Sequence, residues 1–510
     1  MVTDGSLDFD TGGFGLSEFV GIVTAAGHTV STGHRSGIGP VTIAGNFTFN
    51  NTVTTANYDQ IWLFGFETAF NAISAAEQTV IAQFMENGGG VFATGDHENL
   101  GAGMGTMIPR VRSMREWNAI SGSSTSRLDT VVNPGVDGIY QFHDQSDMFA
   151  QRIFPIFYSN GGSSGSASTW SPHPVLRHPS GAVDFFPDHA HESECLAPTP
   201  VAGNFGGVEE WPMDGGSRIA PQIVAVSISG GRFLTDVSKP PVSPRCFGAV
   251  STYDGDAAAV GRIVCDATWH HFVNINLNGT GATADTTSAA RTGLYSGASP
   301  TSEYLKIQRY WLNTVRWLAP IGRRNCWPWI IAALTRYDFE VREFKLPLPH
   351  PCPWEPLVRL GAIFEEVVSN TWGRGVMAEV VDDMLAVTGA APALAGVLKS
   401  RRFARGDERL NEDVSLLPLN DLRRAVFASV VNVIARELPE DERKLSRVVK
   451  ALDHKLVDKH LAEGISGAQQ SINEHLQRAL ASTGAAIKAL SVDRADPKVG
   501  KKDVKAKAKR

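Results

Sequence analysis

The chain has 510 residues, too many for a single hydrophobic core, so two or three domains are expected. Its composition, 43% hydrophobic and 20% charged, is that of an ordinary globular protein, and a net charge of −6 gives no footing for a specific nucleic-acid partner. The acidic opening MVTDGSLDFD lacks the apolar core of a secretory signal, and no stretch approaches the roughly 20 apolar residues that span a bilayer. Five scattered cysteines with no CxxC spacing speak against a disulfide framework or a thiolate zinc site. The expectation is a soluble cytoplasmic protein with reduced thiols and no membrane partner.

In chain order, Leu16–Ala26 has helical spacing and His28–Ser31 reads as a short strand. Tyr58–Phe64 (YDQIWLF) is a buried-strand pattern. Ser74 then caps a helix over Ala75–Asn87, with Glu77 placed to complete a capping box. Gly88-Gly89-Gly90 ends that helix, and Val91–Thr94 starts the next strand. A further helix is predicted over Ile108–Ile120. Its basic run Arg110, Arg112, Arg115 reads as a solvated face or, alternatively, an anion contact. Residues 121–220 are loop-rich, as in a functional lid or binding loop, and include His143, Asp144, His173, Arg177 and His178, which could close over a site. Strands follow at Gln222–Ser227, Phe247–Thr252 and Gly261–Asp266, and Tyr304–Leu318 is the last helix of this domain. Alternating strands and helices predict an α/β domain over residues 1–320, with a largely parallel sheet and helices on both faces.

Three clusters carry candidate chemistry. Asp96, His97 and Glu98 directly follow a buried strand, where open α/β sheets bind ligands; the plainer reading is helix capping by Asp96 or Asn99. Asp188-His189-Ala190-His191-Glu192-Ser193-Glu194 places His189 and His191 two residues apart. That spacing lets two imidazoles share one divalent ion, with Glu192 as a further ligand; a solvated polar loop is the alternative. Asp266-Ala267-Thr268-Trp269-His270-His271 again falls at the end of a predicted strand. One of its histidines would be a base or metal ligand and the other a packed residue.

The stretch Tyr58–Gly101, with its strand ending near Gly65, its helix, ENGGG, a second strand and a sharp turn, resembles the class I glutamine amidotransferase-like fold. It is most similar to the trehalose-utilisation (ThuA-like) branch. The resemblance implies a flavodoxin-like parallel sheet with a long insertion at about 121–220. It also implies a turn histidine matched by His97 and a second histidine, after a late strand, matched by His270 or His271. In amidotransferases this turn carries a nucleophilic cysteine; here no cysteine occupies it, so cysteine-based glutaminase chemistry is not expected.

Prolines crowd residues 320–356, and beyond them apolar spacing of three and four predicts helices over Glu355–Ser369, Gly375–Val387, Asp421–Leu438 and Leu445–Leu490. This helical domain, residues 350–490, would pack on the first domain or mediate a homo-oligomer, and 491–510 reads as a disordered basic tail. Two functions remain open. The first is a hydrolase acting on a small polar or carbohydrate-like molecule. In it a divalent metal such as zinc is held by His97, His189, His191, Glu192 and His270, with Asp96, Glu98, Asp266 and His271 in catalytic or orienting roles. A metal-free variant uses His97 as acid/base. The second function is a non-catalytic binding or scaffolding protein.

Overall fold

A computed structural model describes residues 1–68, 72–96, 99–117, 151–159, 170–187, 194–214, 216–229, 245–280, 294–296, 299–324, 326–389, 394, 417–439, 444 and 454–492. Their contacts divide into two units, the first formed by Met1–Trp327 together with Glu366–Val387.

The first unit is built on a nine-stranded sheet. Its strands are β1 (Val2–Thr3), β2 (Gly33–His34), β3 (Gln60–Phe64), β4 (Gly90–Thr94), β5 (Gln151–Pro155), β6 (Phe185–Phe186), β7 (Gln222–Ser229), β8 (Arg245–Tyr253) and β9 (Ile263–Asp266). They lie in the order β6-β5-β7-β8-β9-β4-β3-β1-β2. The run β9-β4-β3-β1-β2 is parallel throughout, with Asp266 opposite Thr94 and Phe64 opposite both Thr94 and Thr3. The other half, β6-β5-β7-β8, is antiparallel and joins β9 antiparallel. A mixed sheet therefore replaces the largely parallel one expected. Between β8 and β9 the chain makes only a short 3-10 turn, Gly255–Ala258, far less than a parallel crossover requires.

Parallel strands buried on both faces read as continuous apolar runs, and side chains alternate between the faces. Trp62, Phe64, Phe92 and Val264 point to one layer, where they meet Phe19 of α1 (Ser17–Ala25). Ile61, Leu63, Val91, Ala93 and Cys265 point to the other, against Ile81, Phe84 and Met85 of α2 (Ala75–Glu86). The capping box of α2 forms as expected: the Ser74 hydroxyl accepts from the Glu77 amide, and the Glu77 carboxylate accepts from the Ser74 amide.

After β4 come two four-residue helices, α3 (Ala102–Gly105) and α4 (Val111–Met114), rather than one helix over 108–120. Pro109 and the positive φ of Arg110 (68°) break the run, and Arg115 turns extended to bridge Cys195. Burial is the reason. Arg110 and Arg115 are enclosed, not solvated: Arg110 pairs with Glu86 at 2.6 Å, while Arg115 spends its donors on backbone carbonyls. Later, α5 (Asn274–Asn278) follows β9, and α6 (Ser302–Leu318) lies on the α1 layer.

Helical segments continue beyond residue 320, including Trp354–Trp372, Val376–Thr388, Leu419–Ile434 and His454–Val492. Within the first unit, Glu379 on Val376–Thr388 is buried between Arg177 and Arg316, which explains why this helix groups there. In the second unit the helices cross closely: a Cβ on Gly361 would lie 2.3 Å from the Arg424 carbonyl, and one on Gly464 would lie 2.5 Å from the Val430 Cα. The segment predicted as a basic tail lies outside the described residues from 493 onward. Among the described residues no helix is long and apolar enough to cross a membrane.

Candidate functional site

The parallel half of the sheet presents its carboxyl ends on one edge, and polar residues follow in a row. His34 ends β2, Asp4 follows β1, Glu67 lies just beyond β3, Asp96 follows β4, and Asp266 ends β9. Asp96 is delivered by a tight turn. A Cβ on Gly95 would lie 2.2 Å from the Leu100 carbonyl, so only glycine fits, and Gly101 closes the turn with φ +91°. Arg115 then ties the ends of β4 and β9 together, donating to the Asp96, Asp266 and Ala267 carbonyls at 2.7–3.2 Å.

Two carboxylate–imidazole pairs stand on this edge. In the first, Asp96 accepts from the Thr268 hydroxyl through Oδ1 (2.7 Å), while its Oδ2 lies 3.3 Å from His270 Nε2. The other ring nitrogen, Nδ1, is 2.7 Å from Asn276 Oδ1 on α5. Trp269 stacks on the His270 ring at 4.2 Å, and the half-exposed Phe14 approaches edge-on at 6.3 Å. Asp96 is 1% exposed and His270 5%, so the pair sits in a low-dielectric setting just beneath the surface. In the second pair, His271 Nδ1 meets Asp266 Oδ1 at 2.6 Å, and Asp266 Oδ2 accepts from the Tyr310 hydroxyl at 2.6 Å. Phe186 packs on His271 at 4.2 Å, and all three polar residues are fully enclosed. Burial and the adjoining Asp266 carboxylate push the Tyr310 hydroxyl far above its usual range, so it stays a donor.

The edge also holds a perturbed carboxyl. Asp4 accepts from the Glu67 amide at 3.0 Å and, more closely, from that of Phe66, yet burial outweighs these bonds and pushes its carboxyl up to about 6. Burial lowers His34, on the neighbouring β2.

Of the sequence candidates, Asp96, Asp266, His270 and His271 thus come together. His97, Glu98, His189, His191 and Glu192 lie outside the described residues, as do His143 and Asp144. Among the described residues no group of three His, Cys, Asp or Glu side chains is arranged to hold a metal. The expectation that His173, Arg177 and His178 close over the site is corrected for the first two. His173 is buried against Trp317 at 4.8 Å, where burial and then Arg177 push its imidazole down to about 3, and Arg177 is spent on Glu379. Residues that sequence reasoning missed are Thr268, Asn276 and Arg115. The Asn-x-Asn just after the histidines was the one available signal.

Two cavities, of about 360 and 340 Å³, open elsewhere, around His28, Asn57, Tyr58 and Gln60 at the amino ends of β1 and β3 and along Phe47–Asn50. They hold neither carboxylate–imidazole pair, so the chemistry rather than the volume marks the candidate site. Comparison of the chain with protein-family models, with curated proteins and with solved structures found no match.

Proposed function

We propose that the protein is a hydrolase for a small polar or carbohydrate-like substrate, with Asp96 and His270 as its acid–base pair. The observation that carries this reading is that both His270 nitrogens face oxygen atoms, Asn276 Oδ1 at 2.7 Å and Asp96 Oδ2 at 3.3 Å. A proton on Nδ1, donated to Asn276, leaves Nε2 as the nitrogen that exchanges a proton at Asp96. Thr268 holds the other carboxylate oxygen, so Asp96 Oδ2 keeps its aim. A water bound at the pair gives up its proton to it, the hydroxide adds to the electrophilic centre of the substrate, and the same proton passes to the leaving group. The stacked Trp269 favours the imidazolium form in which His270 carries that proton.

A divalent ion held by His270 with His97, His189, His191 and Glu192 is the other form of the reading. In that form Asn276 would orient the ring through Nδ1 and Nε2 would be the ligating nitrogen. The acid–base form is taken first because it needs only Asp96 and His270, which already face each other. The parallel half of the sheet, with its histidine after a late strand, supports kinship with ThuA-like proteins within a flavodoxin-like fold as part of the same proposal.

A panel of nitrophenyl esters, amides, glycosides and phosphate esters tests it. The wild-type chain is expected to turn over one class, and Asp96→Asn and His270→Gln are each expected to lower kcat by about 10²–10⁴-fold. Turnover that survives both substitutions, or none in the wild-type chain, sinks the reading.

A further inference from the structure

The loop Asp10–Gly15 is held against the His270 segment by one side chain, Asn274. Helix α1 begins after Leu16, which occupies the capping position with no side-chain hydrogen bond to offer. The missing acceptor comes from 256 residues away: Asn274 Oδ1 accepts from the Glu18 amide at 3.0 Å. The same side chain donates through Nδ2 to the carbonyls of Asp10 (3.2 Å) and Gly12 (2.8 Å) and to the Ser17 hydroxyl (3.1 Å). Backbone bonds complete the seam, from the Asn274 amide to the Gly15 carbonyl and from the Ile275 amide to the Gly13 carbonyl. Gly15 has no room for a side chain, since a Cβ would lie 2.1 Å from the Asp10 carbonyl. These bonds hold the loop in the arrangement that presents Phe14 edge-on to Trp269 at 5.7 Å and to His270 at 6.3 Å, with 47% of Phe14 still exposed.

We infer that Asn274 is a positioning residue that acts through Phe14, and that Phe14 is the wall against which a substrate's ring or apolar face rests as its polar group reaches Asp96 and His270. Three observations meet here. An exposed phenylalanine beside a nearly buried acid–base pair has contact surface to offer a ligand. Its loop is fixed by the short helix α5, whose other asparagine, Asn276, fixes the His270 ring. The glycine-rich turn before α1 does not serve as an anion cradle, because the first amides of that helix are already taken by Asp8, Asp10 and Asn274. A carbohydrate-like substrate presents the C–H face of a ring next to the bond that is cleaved, which suits an exposed aromatic wall. The inference rests on the acid–base reading above for its meaning in turnover, and on geometry alone for the wall itself.

The test uses the full chain and diethyl pyrocarbonate, with acylation of each histidine followed by peptide mass spectrometry. Phe14→Ala and Asn274→Ala are each expected to speed modification of His270 about three- to tenfold, while His271 stays protected. Unchanged His270 rates in both variants overturn the inference. So does parallel exposure of His271 in both, which would report general loosening. Because acylation needs no turnover, faster His270 modification in a chain inert toward every substrate would leave the wall standing and sink only the hydrolase reading. With a substrate in hand, both variants are expected to raise KM about three- to tenfold with kcat within about twofold of wild type. A loss confined to kcat would overturn the role given to Phe14.

Discussion

The two carboxylate–imidazole pairs are made of the same groups, start from neighbouring strand ends and differ in what surrounds them. His271 and Asp266 are closed over by Phe186 and by the Tyr310 hydroxyl, and all three polar side chains are fully buried. His270 and Asp96 have Trp269 on one side and the half-exposed Phe14 at the rim. A residue type beside a carboxylate therefore does not decide between structure and chemistry. Access and the identity of the second ring partner do: Asp266 serves His271 as an anchor, while Asn276 serves His270 as a tautomer selector.

The comparison breaks most visibly in stability. Asp266→Ala leaves His271 and Tyr310 buried without their common acceptor and is expected to cost about 3–5 kcal/mol, read as a large fall in the denaturation midpoint. His270→Gln should cost no more than about 1–2 kcal/mol by the same measurement, its effect falling on turnover. Equal losses would mean that both pairs are structural.

Arg115→Met should cost about 3 kcal/mol, because three strand-end carbonyls lose their donor in the interior, and should also weaken the alignment of Asp96 with His270. An intact denaturation midpoint with normal turnover would show that the two strand ends do not need this staple.

Acid sharpens the contrast through a third buried imidazole. His173 is held near 3 by burial and by Arg177, well below its ordinary 6.5. Below pH 6.5 the unfolded chain binds a proton that the folded chain refuses. The stability His173 contributes above that pH is therefore lost progressively as pH falls toward 3, at up to about 1.4 kcal/mol per pH unit. His173→Gln should flatten this limb of the stability–pH curve, read by urea denaturation from pH 7 to 4. An unchanged slope would move the acid sensitivity to another group.

The smallest effect expected is that of Tyr310→Phe, about 1 kcal/mol for one hydrogen bond to Asp266, with turnover unchanged. A marked fall in turnover would place the enclosed pair inside the chemistry. Metal analysis of the purified chain by mass spectrometry completes the set: bound zinc lost on chelation together with activity would favour the metal form over the acid–base form.

Much of this was legible in the sequence because local signals and tertiary packing agree there. Glu77 after Ser74, the glycines ending α2 and the apolar runs of β3, β4 and β9 each have one low-energy reading, and Asp96 and Asp266 follow from the strand ends. Arg115 was misread because an arginine near a tryptophan in a polar-looking run looks solvated; only the fold reveals the carbonyls converging on it. The antiparallel half was missed because strand signals carry no direction, although the interval 254–262 before β9, nine residues, is shorter than a parallel crossover needs. Thr268 carried no signal and the Asn274-Ile275-Asn276 pattern carried only a faint one, for another reason: their partners lie on distant segments or hinge on the exact path of a turn.

The sheet order has a consequence for synthesis. Strand β9 sits between β4 and β8, so the flank of β4 opposite β3 stays without its neighbour until Ile263–Asp266 has left the ribosome. At about 5–20 residues per second that wait lasts on the order of ten seconds or more. Throughout it, the Val91–Ala93 run offers an open apolar edge to other nascent chains. The same strand order that brings Asp266 and His270 beside Asp96 thus leaves this edge uncovered for much of the synthesis of the domain, and slowed translation between the two strands would lengthen that exposure.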